Sequence, residues 1–362
     1  MNQEIPPEVL VAFTSYEPGL PAHDAGTITF QPIGGGLINH SYRVSCQVKP
    51  DFFLQRFNKN VFTQPEQVQE NYILIWEYAE FEFTGLRLPS PRHCDHRATL
   101  FVDEMGNYWR AFEFIEDSRM LPVAGKPTQA KATAKAFARF TNAFAEFNVS
   151  LLQPVIPGFH DLSLRYQQFD QALAGEAYER MAQCLPMIEA LKKRERYKHF
   201  YELIAESDEF PQRVMHHDAK IANVLFSTTT GKVICPVDFD TVMPGYFFSD
   251  LGDLIRSMVS PEDENSTNFE GITVRKEFYE AILTGYLELS KQLTEAEKKY
   301  IHYAGPLIIY MQTLRFLTDY LNGDTYYLTG YAGQNFDRAK NQLILLEQLE
   351  DFLHKEYNFR HD

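Results

Sequence analysis

Apolar positions follow two different rhythms along the chain. Between residues 27 and 115, β-branched and aromatic residues gather in short runs at Thr27–Gln31, Tyr42–Val48, Phe52–Phe57, Ala98–Val102 and Tyr108–Ile115, the last two flanking the turn Glu104-Met105-Gly106-Asn107. Runs of this length bounded by turn residues predict strands. One helical stretch, Gln64 to Phe83, interrupts them; Thr63-Gln64-Pro65-Glu66 reads as a capping box with Thr63 as N-cap. From Pro127 the period lengthens. Phe137, Phe140, Phe144 and Phe147 recur at steps of three and four, which places one aromatic stripe on one helix face and predicts core. Further helices are predicted at 176–206, 274–290, 294–321 and 335–355, with a strand-and-loop region from Arg213 to Tyr246. The layout is α+β: a small antiparallel sheet with one inserted helix over residues 1–116, joined near Glu116-Asp117-Ser118 to a larger, mainly helical lobe over 117–362. Ligands bind preferentially between domains, so chemistry is expected in the cleft between the lobes.

Composition narrows the class of partner. The 362 residues carry 34 Lys plus Arg against 49 Asp plus Glu, a net charge of −15, which argues against partners bound through phosphate backbones or anionic lipid. Nucleic-acid and membrane-surface roles are therefore set aside in favour of a small-molecule substrate. The N-terminus lacks a basic, apolar leader, and no apolar run approaches the roughly 20 residues needed to span a bilayer. With Cys46, Cys94, Cys184 and Cys235 forming no C-x-x-C pair, this predicts a cytoplasmic protein with reduced thiols. His93-Cys94-Asp95-His96 is too tightly spaced for a closed zinc site and reads as a polar loop. Oligomeric state is left open.

The densest chemical signal is His216-His217-Asp218-Ala219-Lys220-Ile221-Ala222-Asn223, followed by an apolar strand and Asp238-Phe239-Asp240. This order has a logic for phosphoryl transfer. Asp218 can accept the proton of an attacking hydroxyl. Asn223 and Asp238, five and twenty residues further on, can hold Mg²⁺ on nucleotide phosphates.

At these residues the chain resembles the aminoglycoside phosphotransferase and choline kinase group, small-molecule kinases with a protein-kinase-like bilobal fold, and the resemblance extends over most of its length. Within that group it is similar to the N-acetylhexosamine 1-kinase subfamily at Gly34-Gly35-Gly36-Leu37-Ile38-Asn39-His40, Leu54-Gln55-Arg56-Phe57-Asn58, Asp238 through Gly245, and Leu314 through Asp324. The resemblance implies ATP and Mg²⁺ as cofactors, Asp218 as base, Asn223 and Asp238 as metal ligands, and transfer to the anomeric hydroxyl of an N-acetylhexosamine. Aminoglycoside or choline-type kinases, and a nucleotide-binding pseudokinase scaffold, are the alternatives.

Several nucleotide-side assignments follow by analogy with that fold. Gly34, Gly35 and Gly36 are placed over the phosphates, although a hairpin turn explains three glycines equally well. The lysine expected on the third strand is absent. Period-2 alternation puts Leu54 and Arg56 on one face and Phe53, Gln55 and Phe57 on the other, so Arg56 is the replacement cation, with Gln55 the alternative in the opposite register. Glu70, one turn beyond Glu66, is the helix partner for that cation. Backbone groups of Glu113 and Ile115 are placed against an adenine edge. Where protein kinases carry Arg before the catalytic Asp, this chain has His217, so activation by phosphorylation is not suggested. Asp240 is either a metal or substrate ligand or a solvated turn residue. By subfamily resemblance the acceptor is gripped by Arg315, Asp319 and Tyr320, against the plainer alternative of an i,i+4 ion pair. Asp250 is implied to brace the catalytic loop.

Overall fold

Successive side chains of the strand Lys49–Arg56 point to opposite faces of its sheet, which makes the first lobe two-faced. The computed structural model describes residues 5–18, 28–34, 39–46, 49–82, 84–94, 97–175 and 178–359. After α1 (Pro7–Tyr16) come β1 (Ile28–Pro32), β2 (His40–Cys46), β3 (Lys49–Arg56), α2 (Pro65–Phe81), β4 (Leu100–Val102) and β5 (Tyr108–Glu113). The strands form one antiparallel sheet in the order β1-β2-β3-β5-β4. Phe52 and Leu54 of β3 pack with Val9, Ala12 and Phe13 of α1, whereas Phe53 packs on the other face with Tyr72 and Ile75 of α2. The sheet is thus covered on both sides. No predicted element covers α1; Pro7 begins it, at the position where a missing N–H costs least.

The α2 helix starts one residue later than the capping box predicts. Pro65 is its first residue, Gln64 the N-cap, and no side chain caps it; Thr63 and Glu66 do not form the reciprocal pair. Its inward face meets the second lobe as well as the sheet, since Tyr72, Ile75 and Phe112 share one cluster with Phe140, Phe144, Phe239 and Val242. Asn71 ties the two lobes together, donating to the carbonyls of Gln153 and Val242 at 2.8 Å each and accepting from the Gln153 amide at 2.8 Å.

The chain crosses to the second lobe after β5 and continues through β6 (Ser118–Arg119), α3 (Pro127–Ala143), α4 (Leu162–Leu173), α5 (Tyr178–Lys192) and α6 (Arg196–Glu206). Then follow β7 (Arg213–Met215), β8 (Val224–Ser227), β9 (Val233–Pro236), β10 (Met243–Gly245), α7 (Phe248–Met258) and α8 (Lys276–Leu287). The lobe ends with α9 (Glu295–Lys299), α10 (Ala304–Leu321) and α11 (Gln334–Tyr357). Its small sheets are β6-β8-β9 and β10-β7. The architecture is therefore the bilobal α+β fold predicted, of protein-kinase-like form.

Two predicted helices are split. The stretch 294–321 breaks at 300–303 because Pro306 cannot sit inside a helix already hydrogen-bonded through its own position; it is accommodated in the first turn of α10. The stretch 176–206 breaks at 193–195, which turns Arg194 and Arg196 onto Glu350 of α11. Buried nearly all round, α10 is the axis of the lobe. It crosses α7 so closely that a Cβ on Gly252 would lie 2.4 Å from Ile308 Cγ1 and 2.5 Å from the Ala304 carbonyl. No disulfide joins Cys46, Cys94, Cys184 or Cys235.

Candidate active site

Antiparallel pairing of β7 with β10 sets Met215 opposite Met243, so the residues after β7 and before β10 are neighbours. That pairing assembles the loop His216–Asn223 from distant parts of the sequence. Asp250, in the first turn of α7, accepts from the amides of His216 at 3.1 Å and His217 at 2.8 Å, a brace of the kind the resemblance implies. Complete burial pushes the Asp250 carboxyl up to about 7, against these two hydrogen bonds. The His216 ring sits among Phe137, Phe140 and Phe239, and burial pushes it down to about 4. It is therefore a neutral ring whose Nε2–H donates to the Val237 carbonyl at 3.0 Å. The predicted aromatic stripe is core, packed beside the His216–Asn223 loop.

Asp218 lies at the end of this loop. Its Oδ2 accepts from Lys220 Nζ and from Asn223 Nδ2, each at 2.8 Å. Burial opposes its ionisation, but the Lys220 charge and hydrogen bond, His216 and the Asn223 amide outweigh it and hold the carboxyl below its usual range. Asp218 is thus a carboxylate near neutral pH, with Oδ2 committed and Oδ1 bonded by no described residue. Lys220, which sequence reading passed over although it stands two residues after Asp218, faces both Asp218 and Asp238 and is held protonated by them against the cost of its burial.

The β8–β9 hairpin returns the chain to the same place. The Val237 amide donates to the Asn223 carbonyl at 2.9 Å, so Asn223 and Asp238 become neighbours across fifteen residues. Because Asn223 turns its NH₂ toward Asp218, its amide oxygen is directed away from that carboxylate. Asp238, at φ 67°, keeps its carboxylate open to the cleft with no hydrogen bond from a described residue. Desolvation by the cleft walls, then the Asp240 and Asp218 charges, push it up to about 7. Two hard oxygen donors with surplus negative charge fit a magnesium ion whose remaining ligands are phosphate and water. Among the described residues no group of three or more His, Cys, Asp and Glu gathers as an all-protein metal cage.

Other assignments move. Arg56 lies on the α1 side of the sheet, 3.5 Å from Glu8 and over the Trp109 ring, so it does not reach the cleft. Gln55 is on the cleft face, and the cation beside it is Arg110, its register partner on β5. Glu70 is exposed and touches no described cation; Asn71 is the α2 residue that crosses between lobes. Gly34 has open space around it, while Gly35 and Gly36 lie outside the described residues, as do Asp95 and His96. The Glu113 amide donates to the Ser90 carbonyl at 2.9 Å, and the Ile115 carbonyl accepts from Ser118 Oγ at 2.5 Å, which leaves the Glu113 carbonyl and the Ile115 amide as the groups an adenine edge would have to meet. Asp240 is neither solvated nor facing substrate: it is buried against Arg110 and Asn39.

On α10, Asp319 and Tyr320 are held by other parts of the protein. Asp319 accepts from the amides of Thr325, Tyr326 and Tyr327 at 2.8–2.9 Å and from Asn335 Nδ2 at 2.9 Å. It is a clamp for the loop after α10, not one half of an ion pair with Arg315. Tyr320 turns toward α5, beneath the Arg180 guanidinium and 3.4 Å from Gln183 Oε1. Arg315 stacks instead over Phe159, at 4.8 Å, and near Tyr327 and Tyr326.

His160, which no sequence motif marks, links this wall to the His216–Asn223 loop. His217 Nε2 lies 3.3 Å from the Pro244 carbonyl and so carries its proton there; its Nδ1 then accepts from His160 Nδ1 at 3.2 Å. Ser249 Oγ lies 3.0 Å from the same His160 nitrogen. Burial holds both rings below their usual range, His217 at about 4, so each is neutral and the one-donor, one-acceptor pairing holds. His217 has φ 64°, and its ring fits only because residue 245 is Gly: a Cβ there would lie 2.4 Å from His217 Cε1 and 2.6 Å from Nε2. Gly245→Ala is expected to destabilise the protein by about 1–3 kcal/mol through overpacking. His217→Gly in the same chain should recover most of that loss, by removing the ring and suiting the positive φ. Calorimetry on the two variants checks this; an undisturbed melting temperature in Gly245→Ala contradicts it.

Residues 29–298 match the phosphotransferase enzyme family. The chain belongs to that family, whose members include small-molecule kinases. Solved structures of the same fold include an aminoglycoside phosphotransferase from Alicyclobacillus acidocaldarius, 14% identical with 98% of each chain covered and a TM-score of 0.61. A microcompartment-associated aminopropanol kinase is 13% identical over 98% of this chain and 99% of that one, with a TM-score of 0.60. Choline kinase from Cryptosporidium parvum is 14% identical over 96% of each chain, with a TM-score of 0.55. No helix among the described residues is long and apolar enough to cross a membrane.

Proposed function

We propose that the protein is an ATP-dependent, Mg²⁺-requiring kinase that phosphorylates the anomeric hydroxyl of an N-acetylhexosamine. The observation that carries the phosphoryl-transfer part is Asp218, a carboxylate whose Oδ2 is fixed by Lys220 and Asn223 while Oδ1 is left to receive a hydroxyl proton. A scaffold has no use for such a base. In a loose transition state positioning and charge neutralisation dominate: Asp218 orients the acceptor hydroxyl, and Lys220 supplies positive charge at the same place. Asn223 and Asp238 would hold the magnesium ion, which when bound neutralises charge on the phosphate oxygens.

The sign of charge on the neighbouring wall supports this acceptor class. Arg315 lies over Phe159 and beside Tyr327, and Arg165 donates to the Phe159 carbonyl at 3.2 Å. Burial and then the nearby Arg315 charge push Arg165 down to about 10. The Arg315 guanidinium on aromatic faces, with Arg165 beside it, repels a polycationic aminoglycoside and suits a neutral sugar stacked on a ring, whose N-acetyl group would add about 1–3 kcal/mol of discrimination. The second reading, an amino-alcohol or aminoglycoside acceptor, is favoured by the net charge of −15, which draws cations to the molecule as a whole. It also fits the acceptors that several of the similar structures are named for. ADP release with N-acetylglucosamine, N-acetylgalactosamine, aminoglycosides and choline separates the two. The expected product is a sugar 1-phosphate whose phosphorus couples to the anomeric proton in ³¹P NMR. Phosphate on the 6-hydroxyl, or transfer to aminoglycosides or choline with none to hexosamines, overturns the 1-kinase reading and leaves the kinase assignment in place.

A further inference from the structure

Asp240 belongs to the second lobe, yet both its oxygens are bonded by the first. Oδ1 pairs with the Arg110 guanidinium, and Oδ2 accepts from Asn39 Nδ2 at 2.6 Å. The Arg110 and Asp240 side chains are each 4% exposed. Arg110 also donates through Nε and Nη2 to Gln55 Oε1, at 2.8 and 2.5 Å, and lies over the rings of Phe57 and Phe112. Asn39, just beyond the glycine run, is fixed in turn by the Asn58 amide, which donates to its Oδ1 at 2.9 Å. The start of β2, the end of β3 and the middle of β5 therefore converge on one carboxylate that stands two residues after Asp238.

This geometry decides what Arg110 can do. Its Nε and Nη2 are committed to Gln55 and Asp240 and two aromatic faces cover the guanidinium, so at most Nη1 is left for any further acceptor. Buried charges of opposite sign are costly to separate, so the pair favours the one setting of the lobes in which Arg110 meets Asp240. Phe239, the residue between the two acids, is held by Tyr72, Phe140 and His216 at ring distances of 5.2–5.5 Å. With residues 239 and 240 both pinned, Asp238 has one direction in which to project.

We propose that Arg110 is a positioning residue: through Asp240 it fixes the acidic triplet against the first lobe and so aims Asp238 at the metal, without touching the nucleotide. In this chain β5 thus does the aligning that a cation on β3 is expected to do. The inference rests on the reading of Asp238 as a magnesium ligand.

The test is nucleotide binding by calorimetry, with ADP in EDTA and with ADP over a range of Mg²⁺. Loss of groups that orient a metal ligand typically weakens metal affinity about 10–100-fold. Arg110→Met is therefore expected to raise the Mg²⁺ concentration for half-maximal enhancement by that factor, while affinity for ADP without metal stays within about twofold. Asp240→Asn should give the same shift, and the double variant should be no worse than either single one, because both remove one interaction. Arg110→Lys keeps a buried positive charge facing Asp240 while losing the guanidinium fork, and should show a smaller shift in the same direction; it carries the test if Arg110→Met does not fold. A loss of ADP affinity in EDTA would make Arg110 a direct phosphate ligand and overturn the proposal, as would multiplying losses in the double variant or an unchanged Mg²⁺ dependence. Asp238→Ala separates the two levels: if it leaves the Mg²⁺ dependence intact, the metal reading itself fails; if it abolishes that dependence while the Arg110 variants are normal, only the positioning role fails.

Discussion

Asp218→Asn is expected to lower kcat by about 10²–10⁴-fold, the usual contribution of a positioned general base, while ADP and ATP still bind. The geometry makes this variant sharper than a simple loss of charge. Lys220 and Asn223 both donate to Oδ2 of Asp218, and both still need an acceptor after the substitution. The amide oxygen of the new Asn is drawn to that position, which turns its NH₂ toward the acceptor hydroxyl. A donor then stands where a proton acceptor is needed. Shape is preserved and the chemical sense is inverted. Single-turnover kinetics beside equilibrium nucleotide binding checks this: turnover within about tenfold of the native protein would remove Asp218 from the role of base, and a parallel loss of nucleotide affinity would mean the substitution had disturbed the whole loop.

What could be read in the sequence divides along the range of the interactions. The loop from His216 to Asn223 is local, so its acidic base, its amide and the following acid stand at spacings that chemistry alone can interpret. The strands and the helix Pro65–Phe81 are legible for the same reason: period and turn residues act over a few positions. Arg110 could not be found this way, because its importance comes from lying opposite Gln55 in the sheet and opposite Asp240 across the cleft. Alternation correctly separated Arg56 from Gln55, but which face meets the cleft depends on α1 covering the other one. Asp319 shows a different failure. Its i,i+4 spacing to Arg315 suggested one shared face, yet α10 ends two residues later, and the amides of 325–327 that follow needed an acceptor. A carboxylate one turn from a helix end was captured by the backbone before it could serve a ligand.

Asp238→Ala and Asn223→Ala are expected to damage the protein in different ways, although one metal ion is assigned to both residues. A pair of unit charges about 4 Å apart is worth about 4 kcal/mol at an effective dielectric near 20, which at about 1.4 kcal/mol per decade is about 10³-fold in affinity. Asp238 contributes a full charge, and its open carboxylate lies beside those of Asp218 and Asp240, so removing it should all but abolish the Mg²⁺ enhancement of nucleotide binding. Asn223 contributes only a neutral oxygen, and its loss should weaken that enhancement by about tenfold at most. The Asn223 side chain also holds Asp218, however, through bonds of 2.9 Å to the carbonyl and 2.8 Å to Oδ2. Without it Oδ2 keeps only Lys220 and the carboxylate is free to rotate, so the larger effect of Asn223→Ala should fall on kcat at saturating Mg²⁺ and nucleotide. Nucleotide titrations at fixed Mg²⁺ together with kcat at saturation therefore give crossed patterns, binding lost with Asp238 and turnover lost with Asn223. If both variants lose binding alone, the bond from Asn223 to Asp218 has no catalytic consequence; if Asp238→Ala binds Mg·ATP normally, the metal ligand lies elsewhere in the cleft.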